Sequence, residues 1–187
     1  MTASTDTLAQ PVALDSRPLL TGLAMFALFL AAMDSTVVGT LLPFIKAELH
    51  DDMLYPWLMS GFILASVLAT PLSGWIADAI GEKSAMLGAL ALFLAGSVWI
   101  WVAPGMELLV WARALQGVGA GAITVTTYVI IGRLYNDKER GKMQGMLSLV
   151  WGLAAIIGPL AGGIIHEHWG WRTVFLLNVP LSLVIWC

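Results

Sequence analysis

Charged residues are scarce in this sequence of 187 amino acids: only 11% are Asp, Glu, Lys or Arg, whereas 59% are hydrophobic. The mean hydropathy of +0.85 lies well above the usual range of soluble proteins. The few charges sum to −3 and include no polybasic run, so nucleic acid is a poor candidate for a partner. These shortages predict an integral membrane protein.

Cysteine is almost absent as well. The single cysteine, Cys187, excludes an internal disulfide and a metal site built from several cysteines. The sequence also lacks a Ser/His/Asp or Cys/His set, a phosphate-binding glycine loop and carboxylates paired at catalytic spacing. His166 and His168 stand close together, but two histidines beside one glutamate are common by chance. We therefore expect no enzyme activity, no metal and no cofactor.

Six long apolar runs, bounded by glycine, proline and charge clusters, predict transmembrane helices in a domain of residues 18–187. Residues 1–17 are polar and predict a solvated tail. The first apolar run is too long for a signal peptide. The last run holds 15 residues, about 22 Å of a hydrocarbon core about 30 Å thick, so the sixth helix stops short. The predicted helices cover about residues 19–44, 55–77, 84–102, 108–131, 143–165 and 173–187.

The basic residues predict the orientation. Six lie on one side of the predicted membrane and two on the other, which places the N-terminus in the cytoplasm of a multi-pass protein of the cell (plasma or inner) membrane. The tryptophans near helix ends then form an interfacial belt on the outer side. The inner basic residues are Arg17, Lys83, Arg133, Lys138, Arg140 and Lys142, and the outer ones are Lys46 and Arg172. The belt comprises Trp57, Trp99, Trp101, Trp111, Trp169 and Trp171.

Arg113 is a charge inside the fourth apolar run, where insertion scales put its cost at about 2.5 kcal/mol or more. Such a residue normally faces a bundle interior or a watery cavity and has a partner. Asp34 in the first helix lies at nearly the same depth, about 8 Å below the outer end against about 8–10 Å for Arg113. We therefore predict that these two residues pair, with Gln116 on the same helical face as Arg113.

The fifth helix has small residues at intervals of four. Small side chains let helix backbones approach closely, although ordinary packing would give a similar pattern. Pro159 also removes a hydrogen bond to the carbonyl of Ala155, which should bend the helix. One seam comprises Ala154, Gly158 and Gly162, and an adjoining seam comprises Gly152, Ala155, Pro159 and Gly163.

The connection between the second and third helices is a tight turn with Asp78, Gly81, Glu82 and Lys83, and Gly74 lies one helical turn before Asp78. An ordinary polar connector would look similar. From the residues alone, a structural and a functional interpretation of this turn both stay open.

Together these residues resemble the N-terminal half of a major facilitator superfamily transporter, most closely the fourteen-helix drug:proton antiporters. Residues 33–43 look like the "LDxTVVNVALP" signature of the first helix, and residues 113–121 are similar to the "RxxQGxGAA" motif of the fourth. Residues 152–163 resemble the antiporter motif of the fifth helix. Residues 169–172, followed by Asn178-Val179-Pro180, resemble the entry into the sixth.

The turn between helices departs from its family pattern. Gly74, Ala77, Asp78, Gly81 and Lys83 match "GxLADRxGRK", but Ala79 and Glu82 stand where arginines are usual. In the family, these basic residues join the aspartate in a charge network that latches the inner gate. We therefore expect arginines restored at positions 79 and 82 to strengthen closure.

The resemblance implies an all-α integral membrane fold made of two inverted three-helix repeats, with the sixth helix truncated. It also implies the N-terminal portion of a proton-coupled exporter of small amphipathic or cationic compounds, working by alternating access. Asp34 would accept a proton or the substrate's charge, and Gln116 and Asn178 would be hydrogen-bonding groups of the cavity. The implied partners are the lipid bilayer, a small-molecule substrate, protons, and a missing C-terminal half or a second copy.

Two alternatives stay open. One is a major facilitator carrying sugars or organic anions, against which the Gly158-Pro159 pair and the Asp34 signature argue. The other is a truncated membrane protein without transport activity, or a gene remnant, which the end at Cys187 supports. On its own, the chain is expected to insert without transporting, because a cavity face that includes Asp34, Arg113 and Thr124 would meet lipid or another copy.

The charge bias predicts that a cysteine introduced at Lys138 is shielded from a membrane-impermeant thiol reagent added outside the cell, whereas one introduced at Asp51 reacts. Labelling in intact cells, with permeabilised cells as the control for reactivity, measures this. Labelling at position 138 without labelling at position 51 would reverse the orientation.

Overall fold

The computed structural model describes residues 17–186, except for the side chain of Trp186. The predicted tail before Arg17 and the end at Cys187 lie outside the described residues. All regular structure in the described part is helical, and five helices, α1 to α5, are long and apolar enough to cross a membrane, which confirms the predicted all-α membrane class. The helices are α1 (Arg17–Leu49), α2 (Trp57–Ile80), α3 (Glu82–Val102), α4 (Met106–Leu134), α5 (Asp137–Trp169), α6 (Trp171–Leu176) and α7 (Asn178–Trp186).

Several helices extend beyond the apolar runs that predicted them. The largest difference is the start of α5, at Asp137 rather than residue 143. Asn136 caps this helix: its side-chain oxygen accepts from the Glu139 amide at 3.1 Å, and the Glu139 carboxylate accepts from the Asn136 amide at 3.3 Å. This reciprocal capping box is written in the sequence, but it is polar and therefore invisible to hydropathy.

The predicted sixth helix is divided at Leu177 into α6 and α7. Pro180 has no N–H group, so the carbonyl of Leu176 loses its partner four residues ahead. The amide of Leu177 is shared between the carbonyls of Thr173 and Val174, at 3.3 and 3.2 Å. The prediction of one uninterrupted helix from Thr173 was therefore wrong, and the division puts Asn178 at the first position of α7.

The helices pack in a reciprocal order. Helices α1 and α4 contact each other, α2 packs on α4, and α5 packs on α1. Two inverted three-helix repeats would give this exchange of neighbours. The two corresponding links between helices are alike as well. The link from α2 to α3 and the link from α5 to α6 are each a single glycine with positive φ, Gly81 at 85° and Gly170 at 81°. Glycine adopts such angles without the steric cost that other residues have.

The flanking helices α2 and α5 remain open on most of their surface: only 17% of the most apolar window of each is buried. Their exposed side chains are chiefly leucine, isoleucine and tryptophan. An apolar surface of this kind suits contact with lipid or with another transmembrane element. The core lies instead along α1, α3 and α4.

Five of the six tryptophans assigned to the outer belt are exposed near helix ends, but Trp171 is not. Trp171 is 2% exposed, and its Nε1 donates to the Glu48 carboxylate at 2.6 Å. Arg172 pairs with the same carboxylate. The prediction that Trp171 is an interfacial anchor was therefore wrong, because an acid at the end of α1 draws its indole N–H inward.

Glycines let α4 approach two neighbours at backbone distance. A Cβ atom added to Gly117 would collide with the backbone of Phe62 in α2, and one added to Gly119 would collide with the backbone of Phe93 in α3. Gly121 meets the backbone of Ser66 in the same way. The small residues of the fourth-helix motif are therefore required by close packing on two sides.

Gly119→Ala is expected to destabilise the protein by about 1–3 kcal/mol, the usual cost of overpacking. Gly132→Ala is the matched control, since it lies in the same helix and an added Cβ would meet nothing within 4 Å. Denaturant unfolding in mixed micelles gives both values. Equal stability of the two variants would contradict the close approach of α3 and α4.

Candidate functional site

Five polar side chains meet in the interior of the bundle: Asp34 of α1, Ser97 of α3, Arg113 and Gln116 of α4, and Asn178 of α7. None is more than 4% exposed. The spacing of three residues places Arg113 and Gln116 on one face of α4. Gln116 reaches Ser97 because the preceding residue on α3 is glycine, whose added Cβ would lie 2.7 Å from the Gln116 Cβ. We call these five residues the buried polar cluster.

The centre of the cluster is an ion pair. Arg113 Nη1 donates to Asp34 Oδ2 at 2.6 Å, so the predicted pairing is confirmed. The Arg113 guanidinium also lies 4.1 Å from the centre of the Phe62 ring and 5.9 Å from that of Phe175, and its Nε donates to the Leu58 carbonyl at 3.4 Å. The positive charge is thus compensated by a carboxylate and two aromatic faces in the buried interior of the bundle.

Two amides complete the surroundings of the carboxylate. Gln116 Nε2 and Asn178 Nδ2 donate to Asp34 Oδ1 at 2.9 and 2.8 Å. The same nitrogens donate to Ser97 Oγ at 2.8 and 3.2 Å, and Gln116 Oε1 accepts from Arg113 Nη1. Asp34 therefore accepts three N–H hydrogen bonds, from two different helices.

The placement of these amides corrects one expectation. Gln116 and Asn178 are 0% and 1% exposed, so in this conformation they do not line an open cavity. They turn inward because a charge pair inside a bundle must find its hydrogen bonds among protein groups. Asp34 and Arg113 are likewise covered, so their expected exposure to lipid or to another copy was wrong. Thr124 is half-buried, and for this residue the expectation stays a prediction.

Ser97 was not among the residues predicted for the site. A single serine in an apolar helix usually bonds its own backbone, and Ser97 does donate to the Phe93 carbonyl at 3.1 Å. The available signal was its isolation, since it is the one hydroxyl, amide or charged side chain between residues 85 and 102. The partner of Ser97 depends on the rotation of α3 about its own axis, which a hydropathy pattern does not show.

A second charge cluster lies at the opposite end of α4, beside the α2–α3 turn. Arg133 donates to Asp78 Oδ1 at 2.7 Å and also pairs with Glu82. Glu82 is therefore the acid of an ion pair within this half, and Glu82→Arg would set two arginines against each other. This pairing argues against the expectation that arginines at positions 79 and 82 strengthen the latch, and that expectation stays a prediction. The sequence analysis used Arg133 only for topology and did not predict its ion pairs.

The other residues of the turn are less engaged. Lys83 is exposed, and a Cβ on Gly74 would make only an ordinary contact, 3.8 Å from Val125. Gly81 supplies the positive φ of the turn. A gating role for Gly74, Asp78, Gly81 and Lys83 stays a prediction.

The two seams of α5 have different surroundings. Gly158 contacts the Thr36 side chain, Gly162 contacts Val37, and Thr36 Oγ1 donates to the Ala154 carbonyl at 3.0 Å. In the adjoining seam, a Cβ added to Gly152 or Gly163 would meet nothing within 4 Å among the described atoms. The first seam therefore holds α1 against α5 around Pro159, and α5 runs on across this proline.

Comparison with known proteins gives consistent matches. A family model described as Major Facilitator Superfamily matches residues 24–187. The chain is 36% identical over 166 residues to the multidrug transporter protein MdtP of Bacillus subtilis, which covers 89% of this chain and 30% of that protein. It is 37% identical over 175 residues to the efflux pump dotC of Dothistroma septosporum, covering 91% of this chain and 30% of the pump. It is also 36% identical over 158 residues to multidrug resistance protein 3 of Bacillus subtilis, covering 84% and 31%. The chain thus spans less than a third of the length of these relatives.

The cluster beside the turn predicts a charge-swap result. Glu82→Arg and Arg133→Glu should each destabilise the protein by about 0.5–1 kcal/mol, since exposed pairs contribute in this range. The double variant should regain only part of the loss, because Arg133→Glu also removes the pair with Asp78. Lys83→Glu is the control for a charge change in the same turn. Denaturant unfolding at low salt measures the cycle, and strictly additive effects would show that the two side chains do not interact.

Proposed function

The chain belongs to the major facilitator superfamily, whose members are membrane transporters and not enzymes, and from this premise we propose that it is the N-terminal portion of a proton-coupled exporter. Its substrates are small amphipathic or cationic compounds, and it works by alternating access. The names of its relatives, a multidrug transporter and an efflux pump, support the export of small molecules. The preference for cations is proposed from the buried Asp34 carboxylate. The second half of the transport unit is a C-terminal half or a second copy.

The observation that carries the proposal is the buried Asp34 carboxylate. Among residues 17–185, Asp34 is the one buried acid, and its pair with Arg113 is electrically neutral as a whole. A proton added to the carboxylate leaves a positive charge without its counter-charge in the bundle interior, which is costly. A conformation that admits water lowers that cost. Protonation of Asp34 therefore favours a change of conformation.

The same carboxylate provides for exchange. A cationic substrate that approaches Asp34 competes both with the proton and with Arg113 for one negative charge. Binding of the substrate therefore disfavours binding of the proton, and binding of the proton disfavours binding of the substrate. This mutual exclusion is the requirement for coupling outward movement of the substrate to inward movement of the proton. The amides of Gln116 and Asn178 would stay on the carboxylate in either case.

The open surfaces of α2 and α5 support the proposed assembly. Both helices flank the α1–α4 pair and leave long apolar faces uncovered within the described residues. In this fold the transport path lies between two halves that rock against each other. We propose that parts of these faces, together with the seam of Gly152 and Gly163, meet the other half while the rest meets lipid.

Asp34→Asn is expected to reduce proton-driven export to background with membrane insertion intact, since asparagine keeps the size of the side chain but takes up no proton. Arg113→Ala should also abolish export. It leaves a buried acid unpaired at a cost of about 3–5 kcal/mol, so its amount in the membrane has to be measured as well. The assay is pH-gradient-driven movement of a fluorescent cationic drug in vesicles, in the protein with whatever sequence completes it in the cell.

Asp52→Asn is the matched control, because this acid is exposed and pairs with Lys46 at 2.9 Å on the surface. It should export at the rate of the unchanged protein. Export at that rate by well-inserted Asp34→Asn would remove Asp34 from the coupling mechanism and with it the proposal.

A further inference from the structure

The orientation of the Gln116 amide in the buried polar cluster follows from Arg113. A guanidinium group can only donate, so Gln116 presents its Oε1 to Arg113 Nη1. The other end of the same amide is thereby fixed as the nitrogen, and this Nε2 faces both Asp34 Oδ1 and Ser97 Oγ. Gln116 cannot reverse its amide without setting a donor against the arginine.

The same reasoning extends to Asn178 of α7, although the fixed partner there is the Asp34 carboxylate. An ionised carboxylate only accepts, so Asn178 presents Nδ2 to Asp34 Oδ1 and, with its second proton, to Ser97 Oγ. Ser97 Oγ thus receives an N–H group from each amide. Its own proton goes to the Phe93 carbonyl at 3.1 Å, which leaves the hydroxyl oxygen as an acceptor toward both amides.

We infer that Ser97 is a positioning residue that holds Gln116 and Asn178 as donors on Asp34 Oδ1 and thereby directs an incoming proton to Oδ2. Each amide nitrogen is held between two oxygens, one from Asp34 and one from Ser97. Without the serine oxygen, the Asn178 amide would keep a single bond and could turn. The inference rests on the proposed function only where it speaks of the proton; the positioning itself does not depend on transport.

The two oxygens of the Asp34 carboxylate therefore differ in the groups that a bound proton would face. A proton on Oδ1 would face two N–H groups that Ser97 and Arg113 prevent from turning. Oδ2 accepts only from Arg113 Nη1, and this nitrogen keeps a second acceptor in Gln116 Oε1. A proton delivered by hydronium onto Oδ2 therefore removes the negative charge that Arg113 faces and weakens the bond between Asp34 and Arg113. Arg113 keeps its own proton, and the charge of the cluster changes from zero to plus one.

The composition makes a direct test practical. The sequence contains two asparagines and three glutamines, so side-chain amide ¹⁵N labelling gives only five NH₂ groups to assign. In the chain reconstituted in lipid nanodiscs, Ser97→Ala should shift the Asn178 and Gln116 NH₂ resonances and speed the hydrogen exchange of Asn178 NH₂ at least tenfold. Ser73→Ala is the matched control, because this buried hydroxyl bonds only the Ala69 carbonyl of its own helix, at 2.7 Å. Ser97→Thr, which keeps the hydroxyl, should restore the protection.

Asp34→Asn tests, without a change of pH, whether the incoming proton is directed to Asp34 Oδ2. This variant also provides a test if Ser97→Ala does not fold. The new amide should turn its oxygen to Gln116 and Asn178 and its NH₂ to Arg113, so the first two signals stay protected while the Arg113 Nε–H resonance shifts. Lost protection at Asn178 with an unchanged Arg113 signal would overturn the assignment. Unchanged Asn178 exchange in Ser97→Ala would overturn the positioning role, whatever the transport assays show.

Discussion

A single ion pair inside the apolar bundle constrains the structure around it. Arg113 and Asp34 compensate each other's charge, but each still has hydrogen-bonding capacity that hydrocarbon cannot satisfy. Partners therefore come from every helix within reach: the Leu58 carbonyl from α2, Ser97 from α3 through the amides, and Asn178 from α7. Asn178 stands at the first position of α7, directly after the division at Leu177.

Close packing of the backbones is the second requirement of the same pair. Short polar side chains reach one another only when their helices lie near together, and Gly96, Gly117 and Gly119 permit this around α4. A larger residue at any of these positions would push α2 or α3 outward and lengthen the hydrogen bonds of the cluster. The glycines of the fourth-helix motif thus permit the close approach of the helices, and the polar residues beside them depend on that approach to form their hydrogen bonds.

The sequence predicted the elements that depend on depth and composition, and it missed those that depend on rotation and on helix ends. The pairing of Asp34 with Arg113 could be predicted because the rise per residue puts both at one level. Ser97 could not, because its partner depends on how α3 is turned about its axis. Trp171 was misjudged for a related reason: it was assigned by residue type alone, whereas its indole is held by a neighbour distant in the chain, Glu48. The pairing of Glu82 with Arg133 was missed in the same way.

Helix α4 joins the two charge clusters mechanically. It carries Arg113 near one end and Arg133 near the other, twenty residues apart in one uninterrupted helix of 29 residues, which corresponds to about 30 Å along its axis. Arg113 pairs with one acid, Asp34, in the apolar interior. Arg133 pairs with two acids, Asp78 and Glu82, at the surface. Under the proposed alternating access, a shift of α4 relative to α1 on release of Arg113 would be carried to Arg133, because a helix transmits axial displacement along its hydrogen-bonded backbone. The acids of the α2–α3 turn would sense such a shift although no polar contact among the described residues links them to Asp34, and the weaker, solvent-screened pairs at that end would be the first to break.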